Sequence, residues 1–272
     1  MRYGLTVPNL HEYADVGVLV DLAVEAEAAG WDGFFVWDHI LYRVDEVVPV
    51  IDTWTALAAI ATRTKRIMLG PMVTPLARRR VSTVARQVTT LDHLSEGRVI
   101  FGAGLGTPAD AEFEALGDDP DARVRSERLD ESLQALVQLW SGHPVSLHGR
   151  HVRLDGVTFE PLPVQRPHPA VWIGGRWPNE RPLRRAARFE GIFPSIAGGF
   201  LEVAQLAAVV EAVRDLRQGR MEGFDVVAEG VTPGDDPASY AAVGATWWFE
   251  HLSWKRAPLD ELRRRAAQGP PR

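Results

Sequence analysis

The apolar run GFFVWDHIL, residues 33–41, ends on a carboxylate and an imidazole, Asp38 and His39. Side by side, those groups can move a proton or orient a ring, although a loop after a buried strand would also explain them. FGAGLGT sets Gly102, Gly104 and Gly106 at alternate positions, and WIGGR sets Gly174 and Gly175 beside Arg176. Such glycines let the backbone approach a ligand and offer N–H groups to an anion, and guanidinium suits phosphate; a merely permissive turn is the competing reading. Arg78-Arg79-Arg80 is either a solvated basic turn or a clamp for an acidic cofactor tail or substrate. His148 and His151 have H-x-x-H spacing, but Asp155 is their one nearby carboxylate, so no metal site is expected. Asp92-His93 repeats the opening dipeptide in the last turn of an expected helix, where a cap or surface role suffices.

Position in the fold decides among these readings. Short apolar runs alternate with stretches of helical periodicity along the whole chain. Strands are expected over Tyr3–Val7, Gly33–Trp37, Ile67–Val73, Val99–Gly102, Ala170–Ile173, Gly191–Ser195, Asp225–Ala228 and Ala245–Phe249. Helices are expected over Val16–Ala29, Thr53–Thr62, Val81–Leu94, Arg123–Trp140, Pro182–Arg188, Leu201–Gln218, Pro237–Val243 and Leu259–Ala267, with Gly30 stopping the first. Eight such pairs predict a single (β/α)8 TIM-barrel domain over residues 1–272, with residues 144–163 as a small hairpin insertion before strand five. A doubly wound sheet is the rival, but Val7-Pro8-Asn9-Leu10-His11 replaces the phosphate-binding G-x-G-x-x-G after strand one.

A barrel places its site at the C-terminal ends of the strands. There the sequence offers Asn9, Asp38, His39, Thr74, the Gly102–Thr107 turn, Gly174–Arg176, Ser195, Glu229, Glu250 and His251. Trp37 and Trp172 precede two of these turns and could wall a flat heteroaromatic ligand. No G-x-S-x-G elbow is present, and pairing Glu229 with Glu250 as glycosidase carboxylates would leave the glycine turns unexplained.

The 272 residues, 46% hydrophobic, can bury a sizeable core, and the net charge of −6 argues against nucleic acid as principal partner. Without Cys there are no disulfides or thiolate sites, which is compatible with a cytoplasmic location. The opening Arg2-Tyr3-Gly4-Leu5-Thr6-Val7 reads as a strand rather than a secretion signal, and apolar stretches fall short of the ~20 residues of a membrane span.

With these residues in place, the sequence resembles the bacterial luciferase-like superfamily of flavin- or deazaflavin-dependent oxidoreductases. AEAAGWDGFFVWDHI, TKRIMLGPMVTPLARRR, QVTTLDHLSEGRVIFGAGLG and HPAVWIGGRWP carry the likeness, in the family's order. The resemblance implies a TIM barrel that performs hydride transfer between coenzyme F420, with FMN as the alternative, and a small organic substrate. It places Asp38 and His39 at the reactive ring as catalytic residues. It implies cofactor contacts at Asn9, Asp38, His39, Met72, Val73, Thr74, Gly104, Gly106, Thr107, Gly174, Gly175 and Arg176, and a cis peptide near Met72-Val73. Thr107 stands where some sugar-phosphate-oxidising members carry a Glu, so their substrate does not carry over. A homodimer is expected by analogy. An FMN-dependent monooxygenase, a non-catalytic flavin-binding barrel and a flavin-free lyase or hydrolase remain open.

Overall fold

Parallel neighbours cannot be joined by tight turns, and the computed structural model, which describes residues 1–232 and 234–271, joins them with helical crossovers. The first half runs β1 (Arg2–Val7), α1 (Val16–Ala28), β2 (Gly33–Val36), α2 (Thr53–Arg63), β3 (Met68–Pro71), β4 (Thr74–Pro75), α3 (Val81–Leu94), β5 (Ile100–Gly104), α4 (Ala109–Glu112) and α5 (Ala122–Leu139). An antiparallel hairpin, β6 (Val145–His148) and β7 (Arg153–Val157), follows. The second half runs β8 (Ala170–Arg176), α6 (Glu180–Ala186), β9 (Gly191–Ser195), α7 (Val203–Leu216), β10 (Asp225–Gly230), α8 (Pro237–Ala242), β11 (Trp247–His251) and α9 (Leu259–Ala267). Asp15, Asp52, Asp121 and Asp236 cap α1, α2, α5 and α8 by accepting from first-turn amides.

The large sheet orders its strands β3-β2-β1-β11-β10-β9-β8-β5-β4. Its two ends are the halves of one barrel strand, and Leu69 bridges Val99 in parallel, so the sheet closes as an eight-position barrel. Every residue of β2 is buried: Phe34 and Val36 pack outward under the helices, whereas Phe35 packs inward with Met72, Ile100, Trp172, Val227, Trp247 and Phe249. Phe35 stacks on Phe249 with centroids 4.7 Å apart. Trp172 is wholly buried in this interior, so it fills the barrel and cannot wall a ligand as expected. A Cβ on Gly191 would lie 2.5 Å from its ring, so glycine there clears the space.

The expected third strand, Ile67–Val73, is interrupted: it stops at Pro71, crosses a cis Met72-Val73 peptide and resumes at Thr74. Strands four, five and seven run past their expected ends, to Gly104, Arg176 and Gly230, because glycines that read as turns remain in the ladder, and strand eight runs on to His251 through pairing of Glu250 and His251 with Leu5 and Thr6. Gly30 follows the first helix with φ +90°, the left-handed stop expected of it. Asp92 is neither cap nor surface group. It is buried and accepts from Gln165 N and Nε2 at 2.9 and 2.7 Å, while His93 Nε2 meets Leu162 O, fixing the segment after the hairpin.

One buried cation closes the opposite end. Arg98 donates to Ser95 O, Ala61 O, Thr64 O and Ile67 O at 2.7–3.0 Å, meeting carbonyls that the last turn of α2 leaves open. Burial lowers its pKa through desolvation. Arg98→Ala is expected to lower unfolding free energy in a denaturant titration by about 3 kcal/mol or more, since several buried carbonyls lose charged donors. Arg98→Lys should recover only part, because an ammonium cannot reproduce the planar fork.

Candidate active site

His39 is set by both of its neighbours in space rather than by Asp38. Asn9, just beyond β1, donates to His39 O at 2.8 Å and accepts from His39 N at 3.2 Å. Glu112, at the end of α4, accepts at Oε1 from His39 Nδ1 at 2.9 Å and from the amide of Ile40 at 3.1 Å. An ionised carboxylate only accepts, so Nδ1 carries the hydrogen and Nε2 is left as an acceptor. Nε2 has no hydrogen-bond partner among the described residues, and the ring lines a cavity at this end of the barrel.

Asp38 points into a different set of partners. Its carboxylate accepts from Thr74 Oγ1 at 2.8 Å and from Arg79 Nη2 at 2.6 Å. Arg78 donates to Asp38 O, and its Nε stands 3.0 Å from Glu112 Oε2. The side chains of Asp38 and Glu112 are each 1% exposed and that of Arg78 is 3% exposed. Two anions and two cations therefore balance out of water. Arg78 and Arg79 are thus internal partners, neither a solvated turn nor a clamp for an acidic tail as expected, and the Asp38 carboxylate is turned to Thr74 and Arg79 rather than to the His39 ring. Arg80 alone of the three is exposed, at the start of α3.

The cavity, about 1390 Å³, opens at the C-terminal ends of the strands. Of the expected contact residues, Asp38, His39, Met72, Val73, Gly104, Gly106, Thr107, Gly174, Gly175 and Arg176 line it. Asn9 and Thr74 do not; they are buried and hold His39 and Asp38. The glycines have a packing reason that was not expected of them. Cβ atoms on Gly104 and Gly174 would fall 2.4 and 2.8 Å from the methyls of Val73, so the paired glycines are the slot into which Val73 fits. A Cβ on Gly175 would meet Pro182 at 2.1 Å. Arg176 and Thr107 are exposed on the cavity wall.

Arg125 and Arg185 also line the wall but are engaged: Arg125 donates to Gly106 O at 2.9 Å, and Arg185 pairs with Asp130 at 2.7 Å. His148 pairs with Asp155 at 2.7 Å and His151 with Glu127 at 3.2 Å, both in or beside the hairpin. Sequence reasoning missed Glu112 entirely. No spacing rule connects it to His39, because only barrel closure brings α4 over the end of β2.

A profile of the luciferase-like monooxygenase family matches residues 1–269. The chain belongs to that family. The F420-dependent glucose-6-phosphate dehydrogenase of Nakamurella multipartita is 34% identical over 242 residues, covering 85% of this chain and 67% of that enzyme. The F420-dependent hydroxymycolic acid dehydrogenase of Mycobacterium tuberculosis is 28% identical over 274 residues, covering 98% of this chain and 73% of that one. A second F420-dependent glucose-6-phosphate dehydrogenase, from Kineococcus radiotolerans, is 34% identical over 168 residues, covering 58% of this chain and 47% of that enzyme. Among solved structures, an F420-dependent secondary alcohol dehydrogenase superposes with TM-score 0.73 at 16% identity, covering 98% of this chain and 90% of that one. The coenzyme F420 dependent tetrahydromethanopterin reductase of Methanopyrus kandleri gives 0.70 at 20% identity, covering 85% and 65%. These two likenesses establish the shared TIM-barrel fold.

The Val73 slot is testable by a mutant cycle. Gly174→Ala is expected to destabilise by about 1–3 kcal/mol through overpacking against a stiff β-branched side chain. Val73→Ala in the same chain should return most of that loss. Additive losses in denaturant unfolding would contradict the slot.

Proposed function

We propose that this protein binds coenzyme F420 in the cavity and transfers hydride between it and a small organic substrate, with His39 as the proton-handling residue. The observation that carries this reading is His39 Nε2, left open at the cavity while Glu112 holds Nδ1. The lining fits the coenzyme: Met72, Val73, Pro75, Trp37 and Phe193 supply an apolar surface suited to a flat ring. Arg176 and Arg181, without ion-pair partners among the described residues, suit a phosphate or an acidic tail. At about 1390 Å³ the space exceeds the roughly 300–1,000 Å³ of an ordinary small-molecule site, which leaves room for a substrate beside the coenzyme. The sequence relatives named F420-dependent dehydrogenases support the choice.

When bound, the deazaflavin supplies hydride acceptance and donation. The protein does the rest. His39 Nε2 takes a proton from a substrate hydroxyl or, once protonated, returns one to a carbonyl oxygen. Glu112 holds the ring in the required tautomer and stabilises its positive charge. Asn9, Asp38, Thr74, Arg78 and Arg79 fix the backbone that carries the ring.

Titrating the protein separately with coenzyme F420 and FMN tests the cofactor. Saturable binding of coenzyme F420 is expected, and tight FMN binding without it would overturn the proposal. His39→Ala should still bind coenzyme, yet lose on the order of 10²–10⁴-fold in turnover across a panel of small alcohols and ketones. Glu112→Gln should lower turnover in the same direction while coenzyme binding persists; unchanged turnover would remove Glu112 from this role.

A further inference from the structure

Trp37, on the cavity wall, contacts two imidazoles: His39, which also lines the cavity, at a centroid distance of 5.9 Å, and His251 at 5.4 Å. His251, from β11, belongs to a second polar chain. Its Nδ1 lies 3.0 Å from Glu229 Oε1 and its Nε2 lies 3.1 Å from Ser253 Oγ. One neutral tautomer satisfies both contacts, with Nδ1–H donating to Glu229 and the Ser253 hydroxyl donating to Nε2. Thr6 Oγ1 donates to the same Oε1 at 2.7 Å. Ser253 is wholly buried, so this Ser-His-Glu order is not a nucleophilic triad.

Glu229 differs from the other low-exposure carboxylates at this end of the barrel in its partners. Asp38 holds Arg79, Glu112 holds Arg78, and Glu250 holds Arg256 and Arg265. Glu229 pairs with no Lys or Arg among the described residues, although its side chain is only 14% exposed. Two donors saturate Oε1, whereas Oε2 has no hydrogen-bond partner among those residues, and Glu229 lines the cavity. A mostly buried anion with one oxygen held in place and open to the cavity gains a charge-assisted hydrogen bond from a donor brought by a ligand, and repels a second anion.

We propose that Glu229 is the substrate-recognition carboxylate of this cavity, accepting a hydrogen bond at Oε2 from a hydroxyl or ammonium group of the substrate. It selects against an anionic group at that position. A phosphorylated or carboxylated substrate would have to turn its anion elsewhere. Thr6 and His251 act as positioning residues that hold the acceptor in place. This rests on the cavity being the substrate site proposed above.

Three probes with one ring test it: cyclohexylamine in its ammonium form, cyclohexanol and cyclohexanecarboxylate, titrated with and without coenzyme F420. In the native protein the ammonium and the alcohol should bind about tenfold or more tighter than the carboxylate, as expected for a hydrogen bond to a charged group. In Glu229→Gln the ammonium and carboxylate affinities should converge, while the alcohol, which an amide oxygen can still accept, should fall less than the ammonium. Glu229→Asp keeps the charge and should keep the order, and thermal unfolding of each variant shows that it is folded. The proposal is overturned if the native protein binds none of the probes or ranks the carboxylate with the others. It is equally overturned if Glu229→Gln leaves the order intact, or if Glu229→Gln and Glu229→Asp erase it equally. Probe order without coenzyme F420 binding would overturn the hydride-transfer reading and leave Glu229 standing.

Discussion

The ion pair between Arg78 and Glu112 is the interaction on which the mouth of this barrel depends. Arg78 donates to Asp38 O and faces Glu112 with its Nε, while Arg79 and Thr74 take the Asp38 carboxylate. The chain after β2, the turn after β4 and the short helix α4 are thereby tied together in a space nearly free of water. Such a cluster adds little net stability over a well-packed apolar one. Its value is directional, because removing any one partner strands a charge, so the loops share one arrangement. His39 inherits that order through Glu112.

The same logic divides the polar groups at this end of the barrel into two kinds. Asp38, Glu112, Arg78, Arg79, Arg125 and Arg185 have their charges answered within the protein and act as framework. His39 Nε2, Glu229 Oε2 and the exposed Arg176 and Arg181 have not, and these are the groups with free energy to gain from a ligand. Between the two kinds lies the apolar shelf of Met72 and Val73, seated by glycine on either side. Charge type alone would have sorted them wrongly: Arg78, Arg79, Arg125 and Arg185 are engaged within the protein, whereas Arg176 and Arg181 are exposed.

Much of this was legible in the sequence. Alternating strand and helix periodicity located all eight β/α pairs and the hairpin, since parallel strands buried on both faces write continuous apolar runs. Family-like stretches pointed to the cis Met72-Val73 peptide and to the cavity-lining residues. Strand ends were misjudged where glycine serves close packing instead of turning the chain, as at Gly104 and Gly174. Arg78 and Arg79 were read as solvated or ligand-facing because their partners are distant in sequence. Glu112 stands 73 residues from His39 and was invisible for the same reason. Trp172 was assigned to a wall because its place beside a suggestive turn gave no sign that its side chain faces the barrel interior.

Glu112 holds His39 in the Nδ1–H form and presents a bare Nε2 to the cavity. Long-range ¹H–¹⁵N correlation spectra of the imidazoles, assigned through a His39→Gln variant, read the tautomer of the neutral ring directly. The structure predicts a His39 ring protonated at Nδ1, shifting towards a tautomeric mixture in Glu112→Leu. A native ring protonated at Nε2, or one indifferent to the loss of Glu112, would contradict the account.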